Sequence, residues 1–424
     1  MLIFAIAAVL IILFIILKKF KPVKIIFLRS MLLPSLCLIF ILCLIFFSST
    51  AVKSAGKGIE LWLYVVFPSL FPFFVGAELL YRSGFIKAAG IILEPVMRPI
   101  FNIPGCGSFA LLLGITSGYP VGAKITAGLR QEKLISKTEA ERLLTFTNNS
   151  GPLFIIGAVA VGMFKLPQVG LLLLFSHIGA CLTVGFIFRF YKRSEIASKS
   201  KKNKNILFRF RNNLILSQEE SRGKFPGMFG EAIRDSMMTI IAIGGFIVFF
   251  SVIINVLLKL GAINALADIL AVVSAPAGIS KDILTSLISG FFEITTGANM
   301  ASSSSNTSLI LQLSAASMII GWAGLSVHSQ VISIISRTDI SFKPYLTGKL
   351  LQGGISALYT FAYLKIARPT LISEKSAFSI INVPAGKHWY ENYIFSAKAT
   401  VLTGIIFLIT ALFSLLFKRK RLQS

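Results

Sequence analysis

The chain has 424 residues, 55% of them hydrophobic and only 14% charged, with a mean hydropathy of +0.81. A soluble chain of this length needs far more polar surface, so composition leaves the all-α, polytopic membrane class. The net charge of +25 does not point to nucleic acid: the basic residues sit mostly between hydrophobic spans, and no recognition motif accompanies them.

In chain order, spans are predicted near 2–17, 31–50, 60–82, 144–164, 167–190, 237–258, 308–335, 346–366 and 396–417. The run 2–17 has no basic residue before it and no convincing small-residue cleavage site, so it is expected to be an uncleaved span. Lys18, Lys19, Lys21, Lys24 and Arg29 form the first basic loop, the stretch 189–224 is the richest, and Lys418-Arg-Lys-Arg421 closes the chain. All three belong on the cytoplasmic side by the positive-inside rule, which puts the loop 367–395 outside. Cys37, Cys43, Cys106 and Cys181 show neither metal-pair nor disulfide spacing and are expected to be small apolar packers.

Two segments break the apolar pattern in the same way. Leu111-Leu-Leu-Gly-Ile-Thr-Ser-Gly-Tyr-Pro-Val-Gly-Ala-Lys124 and Leu287-Ile-Ser-Gly-Phe-Phe-Glu-Ile-Thr-Thr-Gly-Ala-Asn299 are each apolar, interrupted by small and hydroxyl residues, then resumed. Backbone freed at membrane depth is tolerated only where it is buried in protein or lines a wet cavity. Matching interruptions in two halves of a chain point to a transport site. Both are expected as re-entrant hairpins, near 107–130 and 282–300. With that assignment the span count agrees with every basic loop, and the two units run in opposite directions, as inverted-topology repeats. Ser83-Gly-Phe-Ile86 pairs with Leu260-Gly-Ala-Ile263, and Leu93-Glu-Pro-Val96 with Leu270-Ala-Val-Val273.

The first unit resembles the sporulation integral membrane protein family typified by YlbJ (SpoVV). Leu61-Trp-Leu-Tyr-Val-Val-Phe-Pro-Ser-Leu-Phe-Pro-Phe-Phe74, Leu93-Glu-Pro-Val-Met-Arg-Pro99 and Thr116-Ser-Gly-Tyr-Pro-Val-Gly-Ala-Lys124 carry the likeness. Leu129-Arg-Gln-Glu-Lys133 and Glu139-Ala-Glu-Arg-Leu-Leu-Thr-Phe-Thr-Asn148 extend it. It spans roughly residues 31–366. The resemblance implies a nucleoside-recognition Gate domain and movement of dipicolinate from mother cell towards forespore across the outer forespore membrane. The domains expected are N-terminal spans over 1–50, a first Gate-like repeat over 58–192 and a basic cytoplasmic linker over 193–228. A second inverted repeat over 229–366 and an outer loop with a final span over 367–424 follow.

Dipicolinate is a planar dianion, and a site for it needs donors and positive potential. The helix resuming after Pro120 offers free N–H groups and a positive dipole end. Ser117 and Tyr119 add hydroxyls, Gly118 and Gly122 allow close backbone approach, and Lys124 places a charge in an apolar stretch. Lys124 is either a functional cation or a residue snorkelling to the interface. Thr147, Asn148, Asn149 and Ser150 form a polar patch that faces substrate or glues helices together. The second hairpin contributes Glu293, Thr295, Thr296, Gly297 and Asn299, with Glu293 binding a cation or proton, pairing with Lys124, or lying at the outer surface. Glu78 is either a coupling group or an i,i+4 partner of Arg82. His328, in Ser326-Val-His-Ser-Gln330, either relays protons or packs; His177 is expected to pack. No nucleophile–base pair, metal set or cofactor motif is present, so catalytic, metal and cofactor sites are not expected. The expected partners are a small anionic substrate and the lipid bilayer, with homo-oligomer formation open and nucleic acid excluded. The alternatives to anion transport are a transporter of nucleosides or another small metabolite, and a non-transporting membrane scaffold of spore development.

Overall fold

The computed structural model describes residues 22–83, 85–192, 208, 210–212, 215, 225–274, 278–305 and 307–366. Every regular element among them is helical. The expected spans 2–17 and 396–417, the loop 367–395 and most of the basic linker lie outside the described residues.

Helix α1 (Pro22–Phe46) turns by 98° at Phe47 into α2 (Ser48–Leu61). Lys24 and Arg29 are therefore helical rather than in a loop. α2 runs on without interruption through a π-helical turn, Trp62–Val66, into α3 (Phe67–Arg82). Pro68 has no N–H to donate to the Tyr64 carbonyl four residues back, and the wide turn takes up that defect. The expected span 60–82 is thus the distal part of a helix that starts at Ser48.

Two units follow, with the same order of elements. The first holds α3, α4 (Phe85–Phe101), a hairpin of α5 (Ser108–Ser117) and α6 (Val121–Gln131), a broken helix of α7 (Lys137–Thr147) and α8 (Leu153–Met163), and α9 (Gly170–Phe188). The second holds α10 (Phe225–Lys259), α11 (Ala262–Ser274), a hairpin of α12 (Lys281–Phe292) and α13 (Ile294–Ser302), a broken helix of α14 (Leu309–Trp322) and α15 (Gly324–Ile335), and α16 (Phe342–Ile366). Most of the packing survives exchange of the units. α3 packs on α10 and α9 on α16; α7 packs on α16 as α14 does on α9; α6 packs on α15 as α13 does on α8.

Both hairpins stand where the sequence places them. The span expected at 144–164 is interrupted near its start, at the polar run after Thr147, and the one at 308–335 is broken near its middle, at Ala323. α4 and α11 were not foreseen as helices: at 17 and 13 residues they fall short of the roughly 20 a span needs, and they read as connections. The short motifs paired across the units, Ser83 onward and Leu260 onward, open these two helices.

Among the described residues Pro167–Phe188, Pro226–Lys259 and Leu309–Ile335 are long and apolar enough to cross a membrane alone. The count rises to five if each of two bent helix pairs is taken as one span. α16 shows the arrangement a lipid-facing helix needs. Leu350 and Leu358 are exposed, while Tyr345, Lys349, Gln352, Ser356 and Thr360 are wholly buried. Its polar stripe faces the protein and its apolar stripe faces out, the reverse of a soluble surface helix. Ser317 of α14 ties into that stripe, bonding the Ser356 hydroxyl at 2.7 Å and accepting from Thr360 at 2.9 Å. Gly321 and Gly353 let the two helices approach closely, as small residues do in membrane bundles.

Candidate substrate site at the broken helices

In each unit the hairpin tip rests against the unwound stretch of the helix that follows it. α5 ends at Ser117, and Gly118 takes φ +88° and ψ −179°, a conformation essentially reserved for glycine. A Cβ on Gly118 would sit 2.9 Å from the Gly151 nitrogen, and one on Gly151 would sit 3.2 Å from the Ser117 carbonyl. Gly122 brings α6 against the Thr147 carbonyl just before the break. In the second unit a Cβ on Gly324 would lie 3.1 Å from the Phe292 carbonyl oxygen and 3.3 Å from Glu293 Cα. Trp322 Nε1 donates to the Phe291 carbonyl at 3.1 Å. The two tips are also neighbours, since Tyr119 lies within electrostatic range of Glu293 and packs on the cluster holding Ile294 and Ala298.

The ends of the hairpin helices differ. α6 is preceded by Pro120 and carries no side-chain cap; Val121 N donates to the Gly118 carbonyl at 3.2 Å, and no side-chain anion sits at the positive end of the helix. α13 is capped by its own Glu293, whose Oε1 accepts from Thr295 N at 2.9 Å and Oε2 from Thr296 N at 2.7 Å. The second hairpin therefore has a carboxylate at the positive end of its returning helix, and the first has none.

The first break gathers side chains from both units. Lys349 Nζ donates to the Asn148 carbonyl at 3.1 Å and to Gln352 Oε1 at 2.8 Å. Gln352 Nε2 donates to Asn149 Oδ1 at 2.8 Å. The Ser150 backbone N–H donates to His177 Nε2 at 3.2 Å, and Asn149 Nδ2 donates to the Phe146 carbonyl at 2.8 Å. Asn148 Nδ2 donates to the Tyr345 hydroxyl at 3.1 Å, and that hydroxyl shares a hydrogen bond of 3.1 Å with His328 Nδ1. Ser117 Oγ, Asn148 Oδ1, His177 Nδ1 and His328 Nε2 are buried with no hydrogen-bond partner. Native structures rarely leave such atoms orphaned without a functional reason.

The expected site residues separate accordingly. Ser117, Gly118, Tyr119, Gly122, Asn148, Asn149 and Ser150 converge on the first break, and His328 reaches it through Tyr345. Thr147 turns its hydroxyl back onto its own helix, donating to the Leu143 carbonyl at 2.9 Å. Gly297 packs on Gly290 inside the second hairpin rather than at its tip. Asn299 is exposed, and its carbonyl accepts from Ser302 and Ser303. Lys124 is held at 3.1 Å by Glu78, which also accepts from Arg82 at 2.9 Å. The pair Glu293–Lys124 therefore does not form, and Glu78 makes the i,i+4 contact. Arg82 continues the network to Asp235 at 2.6 Å and to Glu231, both on α10. Lys349, Gln352, His177 and Tyr345 were missed or set aside. For Tyr345, Lys349 and Gln352 the signal was the i, i+3, i+4 recurrence of polar residues through α16; nothing of that kind marks His177 on α9.

Residues 63–166 match the Gate family model, described as nucleoside recognition. That match takes in α3, the whole first hairpin and the first break. The chain is 41% identical over 324 residues to the sporulation integral membrane protein YlbJ of Bacillus subtilis (strain 168), covering 74% of this chain and 77% of that relative. The chain belongs to the YlbJ family. It is accordingly a multi-pass membrane protein of a sporulation family, with a Gate domain whose hairpin and break form half of the candidate site. No solved structure matches.

Proposed function

We propose that this YlbJ-family chain is a secondary transporter or facilitator for a small organic anion, dipicolinate above all, moved from mother cell towards forespore across the outer forespore membrane. The observation that carries the proposal is the uncapped α6 N-terminus, set against unwound backbone at Asn148–Gly151 and flanked by the unpartnered Ser117 hydroxyl. Irregular backbone buried in protein at membrane depth is how secondary transporters build substrate sites. In this reading the two units are inverted repeats and their relative movement alternates access. The chemistry asked of the chain is binding and release, so the proposed activity is not enzymatic.

The Gate match favours a second reading, a nucleoside as cargo. The two separate in a thermal-stability assay on the purified full-length chain. A ligand at 100 times its Kd stabilises the folded state by about 2.7 kcal/mol. Dipicolinate is expected to raise the melting temperature in a saturable way and uridine to leave it unchanged. Stabilisation by uridine alone would give the site to nucleosides.

A further inference from the structure

The cation at the centre of the polar cluster is Lys349, and its surroundings lack the group that would normally accompany it. Its side chain is wholly buried, and both acceptors of its ammonium are neutral, the Asn148 carbonyl and the Gln352 side chain. Among the described residues no carboxylate pairs with it, whereas Lys124 has Glu78. An ammonium offers three donors, and two are accounted for. A buried cation left without a counter-charge is strongly unfavourable, and in membrane proteins such groups mark substrate and ion paths.

Two imidazoles belong to the same cluster. His177 Nε2 accepts from the Ser150 backbone N–H, which can only donate, so the ring proton sits on Nδ1. His328 Nδ1 shares its hydrogen bond with the Tyr345 hydroxyl, and its Nε2 is left without a partner. The His177 N–H has no acceptor, and both rings are buried. A spare ammonium hydrogen, the orphan His177 N–H and the Ser117 hydroxyl can donate, against the orphan acceptor Asn148 Oδ1. What complements these donors is a species rich in acceptors and negatively charged.

Building on the transport reading above, we propose that Lys349 supplies the counter-charge for a carboxylate of the cargo, with His177 as an N–H donor beside it. Selectivity for anions over neutral metabolites then resides in α9 and α16 as much as in the Gate-matched region. The positive end of α6 and Lys349 both reach the Asn148–Gly151 stretch, one from each unit. Binding an anion there joins the units and completes the burial of the ammonium.

The test is calorimetric titration of the purified full-length chain with dipicolinate, picolinate, and the uncharged isostere pyridine-2,6-dicarboxamide. Lys349→Met, Lys349→Gln and Lys349→Arg are compared with wild type, and abundance and elution profile report folding. Lys349→Met is expected to lose about 10- to 100-fold in dipicolinate affinity, the range for a charge-assisted hydrogen bond. Its affinity for the dicarboxamide should stay within a few-fold of wild type. Lys349→Arg should retain most of the dipicolinate affinity. If Lys349→Met fails to fold, Lys349→Gln carries the same comparison. Equal dipicolinate affinity in wild type and the neutral variants overturns the role of Lys349 and leaves the transport reading standing. Parallel loss of dicarboxamide and dipicolinate affinity overturns it too, because it marks a structural lysine. Binding of picolinate but not dipicolinate, lost in Lys349→Met, supports Lys349 and dismisses the cargo assigned above. No carboxylate binding by wild type removes both.

Discussion

Gly118→Ala adds a single methyl group at the point where hairpin tip and broken helix meet. At φ +88° and ψ −179° an L-residue sits in a region that costs on the order of 1–3 kcal/mol. The new Cβ would lie 2.9 Å from the Gly151 nitrogen, where non-bonded heavy atoms settle at about 3.5 Å or more. Relieving that overlap moves either the tip or the Asn149–Gly151 backbone, with overpacking of this kind costing about 1–3 kcal/mol. The two effects share one relaxation, so the total is expected at about 2–4 kcal/mol rather than their full sum. If substrate draws tip and break together, the same strain opposes binding, and each 1.4 kcal/mol is about tenfold in affinity. Thermal unfolding and dipicolinate titration of Gly118→Ala read the two consequences. Gly245→Ala, on an exposed part of α10 with nothing within 4 Å of the added methyl, is the control and should be neutral to slightly stabilising. Gly118→Ala with wild-type stability and wild-type affinity would refute the close approach on which the site is built.

Gly118→Leu and Gly297→Leu should each abolish transport with membrane insertion largely intact, read as uptake against the amount of protein in the membrane. Glu293→Ala removes the cap on α13 and should lower stability by about 1 kcal/mol, measured by thermal unfolding, since both carboxylate oxygens bond the first turn. The guanidinium of Arg130, in the last turn of α6, grips Asp339, in the connection between α15 and α16, with two bonds of 2.9 Å and holds its carboxyl below the ordinary range. A depressed acid contributes stability above its unfolded value and loses it as pH falls through the folded one. Asp339→Asn should therefore cost no more than about 0.2–1 kcal/mol at neutral pH, the range for an exposed pair, with the difference closing below about pH 4. In a background without the four native cysteines, Lys133→Cys and Ser303→Cys, at the exposed bases of the two hairpins, should label from opposite faces of the membrane. Labelling of both from one face would end the inverted-repeat assignment.

Both hairpins were legible because their breaks are written in residue types that cannot continue an apolar helix: Gly118 and Pro120 in one, Glu293 and Thr296 in the other. The polar run Thr147–Pro152 likewise announced the first unwound stretch. The second was hidden, because Ala323 and Gly324 are small and apolar and interrupt hydrogen bonding without interrupting hydropathy. Lys124 attracted attention by standing four residues after Pro120, yet that spacing carries it one helical turn away from the tip, where it meets Glu78. Lys349 lies 201 residues from Asn148, whose carbonyl it bonds. Nothing local marks it except the buried polar stripe from Tyr345 to Thr360, whose partners become visible only when α16 is packed against α7 and α9. Helix length, not helix propensity, concealed α4 and α11.

The central claim is tested most directly by uptake of radiolabelled dipicolinate into proteoliposomes that contain only this chain, with and without a proton gradient. The account predicts saturable uptake above protein-free vesicles, competed by unlabelled dipicolinate, indifferent to excess uridine and absent with Gly118→Leu. Uptake no greater than in protein-free vesicles under either condition, or accumulation of uridine in place of dipicolinate, would contradict it.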